Sequence, residues 1–274
     1  MIRSRLEMIG SYGALGLFSV FVLVPFAGLV LVSIRPSNSL GVAIDFRQGF
    51  HLDNFSSAWT QAGLGSALLA SFVVSGFVAV VGTACAVMAG YALGSLRFRG
   101  REAARYFLLL GLMVPVEATV VPLFYGELHL NLINSYAAAF LPLTGIAIGF
   151  GSFWMRAFFV SVPRELLDAA KVDGATHWST LIRVLLPMAR PAMLTMAILL
   201  FLIGWNDFLV SLVTLQTPNV QTAQVALAGF RGAYLTNDTL IAAGALIVVL
   251  PVIVLFLLTQ RRLIRGIMAG SVKG

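Results

Sequence analysis

Charge is what this chain has least of. Asp, Glu, Lys and Arg together make up 11% of its 274 residues, against 59% hydrophobic residues. A soluble domain carries about a quarter charged residues, so water is excluded as the solvent for most of this polypeptide and a lipid bilayer takes its place. Cysteine is almost missing. Cys85 stands alone, which excludes an internal disulfide, and its apolar surroundings make it a small core residue. Histidine is scarce too: His51, His129 and His177 fall in loops without metal-ligand spacing, and no metal site is expected. No Gly-x-x-x-x-Gly-Lys-Ser/Thr phosphate loop occurs, so ATP hydrolysis by that route is excluded. Nor is there the convergent nucleophile and base that a membrane-embedded enzyme requires. Tandem repeats, low-complexity tracts and a convincing inverted repeat are all absent.

Apolar length is what the chain has in plenty. A helix crosses a bilayer with about 20 residues, and six stretches qualify: 11–34, 66–95, 106–126, 136–155, 192–214 and 239–259. The first is longer than a signal-peptide core and lacks a small-residue cleavage site, so a retained span is expected. The whole reads as a single all-α membrane domain. The bases orient it. Arg3 and Arg5, then Arg97, Arg99, Arg101 and Arg105, then Arg156, Arg164, Lys171, Arg183 and Arg190, and finally Arg261, Arg262, Arg265 and Lys273 share one side of this topology, fifteen of the 18 Lys and Arg residues. Arg35, Arg47 and Arg231 fall on the other. The positive-inside rule then puts both termini in the cytoplasm. The net charge of +7 is thereby a topology signal that also suits lipid headgroups, and no nucleic-acid partner is expected.

Outside lie one real loop, about 35–65, with Pro36, Asn38, Asp45, His51, Asp53 and Asn54, a short link at Leu130–Tyr136, and a longer one at 216–238 with Pro218 and Asn219 at a turn. Inside, 156–191 is a polar insert between the fourth and fifth spans. Pro163 suits a helix start, Ser161 offers a cap, Glu165 favours the N-terminal end and Lys171 the C-terminal end. Arg164 and Asp168, four apart, are expected to pair. Leu166, Leu167, Ala170 and Val172 are expected to form an apolar side. Asp173-Gly174 ends the helix, a second begins near Thr176, and Pro187 and Pro191 are expected to break it before the fifth span. Two readings fit: a helix resting on headgroups, or a helix gripped by a cytosolic protein, which its mixed charges favour.

The insert, Glu165, then Asp168-Ala169-Ala170, then Asp173-Gly174-Ala175, with Ile182 and Leu186-Pro187 downstream, resembles the "EAA" loop of permease subunits of bacterial ABC importers. Met113-Val114-Pro115, Glu117-Ala118-Thr119, Pro122-Leu123-Phe124, Trp205-Asn206-Asp207-Phe208 and the closing Gln260-Arg261-Arg262, Gly266, Ala269-Gly270 and Val272-Lys273-Gly274 are similar to the carbohydrate-uptake branch, and within it to the smaller permease of a maltose-type heterodimer. Asp168 departs from the expected Glu but keeps its charge. The resemblance implies the type I importer transmembrane fold, in a bacterial inner membrane. It implies a coupling helix carrying Glu165, Asp168, Ala169, Ala170, Asp173, Gly174, Ala175 and Pro187, seated in a cytosolic ATPase. The implied partners are a second permease subunit, a pair of ATPase subunits and an extracytoplasmic solute-binding protein. No cofactor is bound by this chain; ATP and Mg belong to the ATPase. A C-terminal tail reaching toward the ATPase pair is implied as well.

Ionisable groups within a span cost about 2.5–3.5 kcal/mol on insertion scales and face a cavity or a partner. Glu117, between Pro115 and Pro122, and the Trp205-Asn206-Asp207 group stand out. Each has two readings: contact with the transported solute, Trp205 stacking on a sugar ring while Asn206 and Asp207 bond hydroxyls, or packing between helices. The same acids keep an ion-gradient-driven secondary transporter as the alternative function.

Overall fold

The computed structural model describes residues 5–36, 49–230 and 237–271, the side chains of 5–9 and 261–271 excepted. Arg3, Asn38, Asp45, Arg47, Arg231 and the closing Val272-Lys273-Gly274 lie outside the described residues, as do the side chains of Arg5, Arg261, Arg262 and Arg265. Helices α1 (Arg5–Ser33), α2 (Asp53–Gln61), α3 (Leu64–Ser95), α4 (Arg101–Met113), α5 (Val116–His129), α6 (Tyr136–Ser161), α7 (Arg164–Val172), the single turn α8 (His177–Ser179), α9 (Leu186–Trp205), α10 (Leu209–Thr214), α11 (Ala223–Ala228) and α12 (Asp238–Ser271) follow in order. No strand occurs among the described residues. This is the all-α membrane architecture expected, because lipid leaves a spanning backbone no partner but itself.

Gly10–Ser33, Leu64–Ser95, Tyr136–Ser161, His177–Trp205 and Asp238–Gln260 are each long and apolar enough to cross a membrane. The third crossing differs from expectation. In place of one rod over 106–126, α4 and α5 meet at an angle of 97°. Val114 (ψ 119°) and Pro115 (ψ 134°) are both extended: the proline ring disfavours helix in the residue before it, and the chain turns there. Counting the broken pair as one crossing gives six. The fifth differs as well. Pro187 and Pro191 do not break it. A π stretch, Thr180–Leu185, precedes α9, and the Leu186 amide donates to the Leu181 carbonyl five residues back. That wider turn accommodates a proline, which has no N–H to give the carbonyl four residues behind it. The helical run is therefore continuous from His177 to Trp205.

The chain divides into two compact units. In the first, residues 1–65 with 226–251, Asn54 is buried and its amide donates to the Ser33 and Arg35 carbonyls at 2.9 and 2.7 Å, tying the end of α1 to the start of α2. Ala58, Leu240 and Ala243 form a small core there. In the second, residues 66–225 with 252–274, α3, α6 and α9 enclose the main core of Val74, Val78, Met155, Phe159, Met196 and Leu200, with Leu181 and Leu185 from the π stretch. Glycines set the spacing. A Cβ on Gly90 of α3 would stand 2.6 Å from the Met155 Cβ of α6, and one on Gly151 of α6 would stand 2.7 Å from the Ala86 Cβ of α3. Close backbone approach through small residues replaces the hydrophobic drive that lipid cannot supply.

Candidate functional site

The polar insert folds as a short helix closed at its end by a defined cap. Pro163, extended, opens α7. At the other end Gly174 takes φ +75°, the left-handed region that glycine enters without strain. Its amide donates to the Lys171 carbonyl at 3.0 Å, and the Ala175 amide reaches the Ala170 carbonyl at 2.9 Å. This paired pattern satisfies carbonyls that a helix end otherwise strands. Thr176 then caps α8, its hydroxyl accepting from the Ser179 amide at 3.2 Å. From α3, the Tyr91 hydroxyl donates to the His177 carbonyl at 3.2 Å, anchoring the second turn to a membrane helix.

The two faces of α7 are different surfaces. Leu166 and Leu167 pack against the main core, and Ala170 is buried. Glu165, Asp168, Ala169 and Val172, spaced three and four apart, fall on one outward stripe. All four are exposed, and Val172, expected on the apolar side, is 88% exposed and lies on this stripe instead. Asp173 and Gly174 continue that surface, Ala175 is half-buried behind it, and Pro187 is exposed at the start of α9. Trp178 (60%) and Ile182 (44%) add apolar area next in the chain. The stripe combines two acids with an uncovered valine, a composition suited to a protein partner with basic and apolar contacts.

Two local expectations are corrected. Ser161 does not cap α7; it closes α6, its hydroxyl donating to the Phe158 carbonyl at 2.7 Å, and no side chain caps α7 at its start. Asp168 pairs with Lys171 at 3.0 Å rather than with Arg164. The acid then precedes the base along the helix, the order the helix dipole favours.

The pathway candidates are placed differently from each other. Glu117 lies exposed in the first turn of α5, directly after the bend that divides the third crossing, where a helix start favours an acid. Trp205 is 1% exposed. Phe201 stacks on it at 5.6 Å and 22°, and Phe72 meets it edge-on at 4.9 Å. In this conformation the ring has no open face for a sugar, so its stacking is internal. Asn206 is exposed and donates to the Leu202 carbonyl at 2.9 Å. Asp207 lies past the end of α9 and holds the start of α10. Its Oδ2 accepts from the Ser211 amide at 2.9 Å and the Ser211 hydroxyl at 2.7 Å, while Oδ1 accepts from the Val210 amide at 3.4 Å. Within this chain Trp205 is packed by Phe72 and Phe201, and Asp207 caps the start of α10.

Sequence reasoning passed over Glu127 and Asn134. Glu127 in α5 is 5% exposed and its Oε2 has no hydrogen-bond partner among the described residues; ending the third span at 126 left it just outside. Asn134, at φ +63°, accepts hydrogen bonds from the Gln216 and Thr217 amides at 2.7 and 2.9 Å and so pins the link that follows α10. Asn-Ser immediately before a helix was its only signal.

Comparison with known proteins agrees with this architecture. Residues 86–268 match the family model described as "Binding-protein-dependent transport system inner membrane component". The chain is 35% identical to the arabinooligosaccharides transport system permease protein AraQ of Halalkalibacterium halodurans, over 94% of each chain. It is 32% identical to the trehalose transport system permease protein SugB of Mycobacterium tuberculosis, over 93% of each. Among solved structures, a chain of a bacterial ABC transporter involved in the import of the acidic polysaccharide alginate superposes with a TM-score of 0.74 at 24% identity, covering 95% of this chain and 99% of that one. A family match over most of its length, full-length relatives and a shared fold converge: this chain belongs to the binding-protein-dependent transport system inner membrane components, as a multi-pass permease subunit of an ABC importer.

Proposed function

We propose that this subunit forms half of the translocation pathway for a sugar or a related polyol or polyol phosphate, and that the 164–187 segment couples it to a cytosolic ATPase. The observation that carries the coupling is the outward stripe of Glu165, Asp168, Ala169 and Val172 on a helix whose other face is fastened to the membrane core. A rigid lever with an unpartnered face transmits force when a second protein grips that face. ATP and Mg sit on two ATPase subunits, and this chain is non-catalytic. A second permease completes a heterodimer; α1, whose apolar window is 0% buried within the chain, has surface available both to that subunit and to lipid. The basic residues put both termini and α7 on the cytoplasmic side, and the external binding protein delivers solute on the other.

The carbohydrate class rests on relatives named for arabinooligosaccharides, trehalose and melibiose/raffinose/stachyose. Family membership removes the ion-gradient-driven alternative. The test is reconstitution of the four-component importer in vesicles against a panel of oligosaccharides, sugars and polyol phosphates. Accumulation of one panel member that requires both ATP and the binding protein supports the reading. Uptake driven by an ion gradient alone, or confined to peptides or ions, overturns it.

A further inference from the structure

The segment joining α3 to α4 is short and basic: Leu96-Arg97-Phe98-Arg99-Gly100. It links two membrane helices, so it lies at a membrane surface. Arg97, Arg99 and Gly100 are exposed, and Phe98, between the two arginines, is 45% exposed. Neither Arg97 nor Arg99 has an acidic partner among the described residues.

The surroundings form a shallow, open hollow. A hollow of about 330 Å³ is lined by Arg97, Phe98, Gly100, Arg101, Glu102 and Ala103, near the lower end of the roughly 300–1,000 Å³ typical of small-ligand sites. Arg101 is a fixed wall: its Nε and Nη2 donate to the Leu93 carbonyl at 2.9 and 2.6 Å, which closes the end of α3 and holds a cation in place. The only acid in the lining, Glu102, is neutralised by Arg105 at 2.8 Å. Gly100, at φ +86°, caps α4 without a side chain, and the Arg101 amide donates to the Phe98 carbonyl at 3.4 Å, so the helix start has no side-chain acceptor of its own. Further along α4, Tyr106, Phe107 and Leu110 are 56%, 75% and 61% exposed, and no residue of α4 is buried.

We propose that this hollow is a binding site for the headgroup phosphate of an anionic phospholipid. Arg97, in the lining, and Arg99, two residues on in the same exposed segment, supply the mobile charges, Arg101 the fixed charge, and Phe98 sits among the upper acyl carbons. The chains of the bound lipid run beside the uncovered apolar residues of α4. A free phosphate meets the same charges, but only a lipid uses Phe98 and α4. Juxtamembrane basic residues are worth about 1 kcal/mol each toward an anionic leaflet, so removing both free arginines weakens binding by roughly tenfold to thirtyfold.

The experiment is native mass spectrometry of the full chain in detergent, titrated separately with dioleoyl phosphatidylglycerol, dioleoyl phosphatidylcholine and inorganic phosphate. The unaltered protein retains phosphatidylglycerol in preference to phosphatidylcholine. The Arg97→Ala, Arg99→Ala double variant loses that preference, Arg97→Lys, Arg99→Lys keeps most of it, and Arg183→Ala, Arg190→Ala, which removes two basic residues elsewhere on the same side, leaves it unchanged. Equal retention of the two lipids, retention untouched by the double alanine variant, or displacement of phosphatidylglycerol by millimolar phosphate would overturn the proposal. Because Arg97 and Arg99 lie outside 164–187, a negative result leaves the coupling role of α7 standing.

Discussion

A Cβ added to Gly90 would lie 2.6 Å from the Met155 Cβ and 2.9 Å from the Arg156 backbone nitrogen. That separation is shorter than real Cβ atoms tolerate, and backbone cannot rotate away as a side-chain tip does. The α3–α6 contact therefore depends on a missing methyl group. Gly90→Val should lower stability by about 1–3 kcal/mol, the ordinary cost of overpacking. Thermal unfolding of the detergent-solubilised chain measures this. Gly111→Ala, where a Cβ meets nothing within 4 Å, should unfold close to the unaltered protein.

Gly174 is the hinge between α7 and α8. A branched side chain at its φ of +75° costs roughly 1–2 kcal/mol in the left-handed region. Gly174→Val and Gly174→Pro should abolish solute uptake while the protein still inserts in the membrane. Gly174→Asn, which tolerates that conformation, should retain much of it. Uptake assays on whole cells, with membrane fractions blotted for the subunit, give both readouts.

Glu165 lies on the outward stripe and bears on nothing in the core. Glu165→Lys should leave insertion and thermal stability within about 0.5 kcal/mol of the unaltered protein, as for exposed substitutions generally, and yet eliminate uptake. A variant with normal uptake would show that the stripe grips nothing.

Asp207 receives three hydrogen bonds from Val210 and Ser211. Asp207→Ala removes the start of α10 and should cost about 1–2 kcal/mol, as lost helix caps do. The predicted signature is reduced assembly with the companion subunit, measured by co-purification. Asp207→Asn should recover part of it, since an amide oxygen still accepts. Full assembly with altered solute preference would instead favour direct contact with the transported molecule.

Most of the helices were legible because lipid demands long apolar runs, and long runs are hard to misread. The ends were less so. Pro115 turned the third crossing through a right angle, whereas Pro187 follows a π turn and Pro191 sits inside α9 without breaking it; proline alone does not say which outcome follows, since neighbouring helices decide where the freed carbonyls go. Gly174 was readable, because only a left-handed cap explains glycine directly after that helix. Trp205 was ambiguous: an aromatic beside two polar residues suits a sugar as well as a core, and its contacts with Phe72 and Phe201 come from folding that the local pattern does not show. Glu127 escaped notice because the apolar run was ended at 126, one residue before it.

The measurement that bears most directly on the coupling role is photo-crosslinking from Val172, replaced by a benzophenone amino acid, in the assembled importer. The outward stripe predicts a covalent adduct with the cytosolic ATPase subunit, with a yield that changes when ATP is added. An adduct confined to lipid or to the external binding protein, or labelling of Val172→Cys by an impermeant reagent applied only from outside, would contradict it.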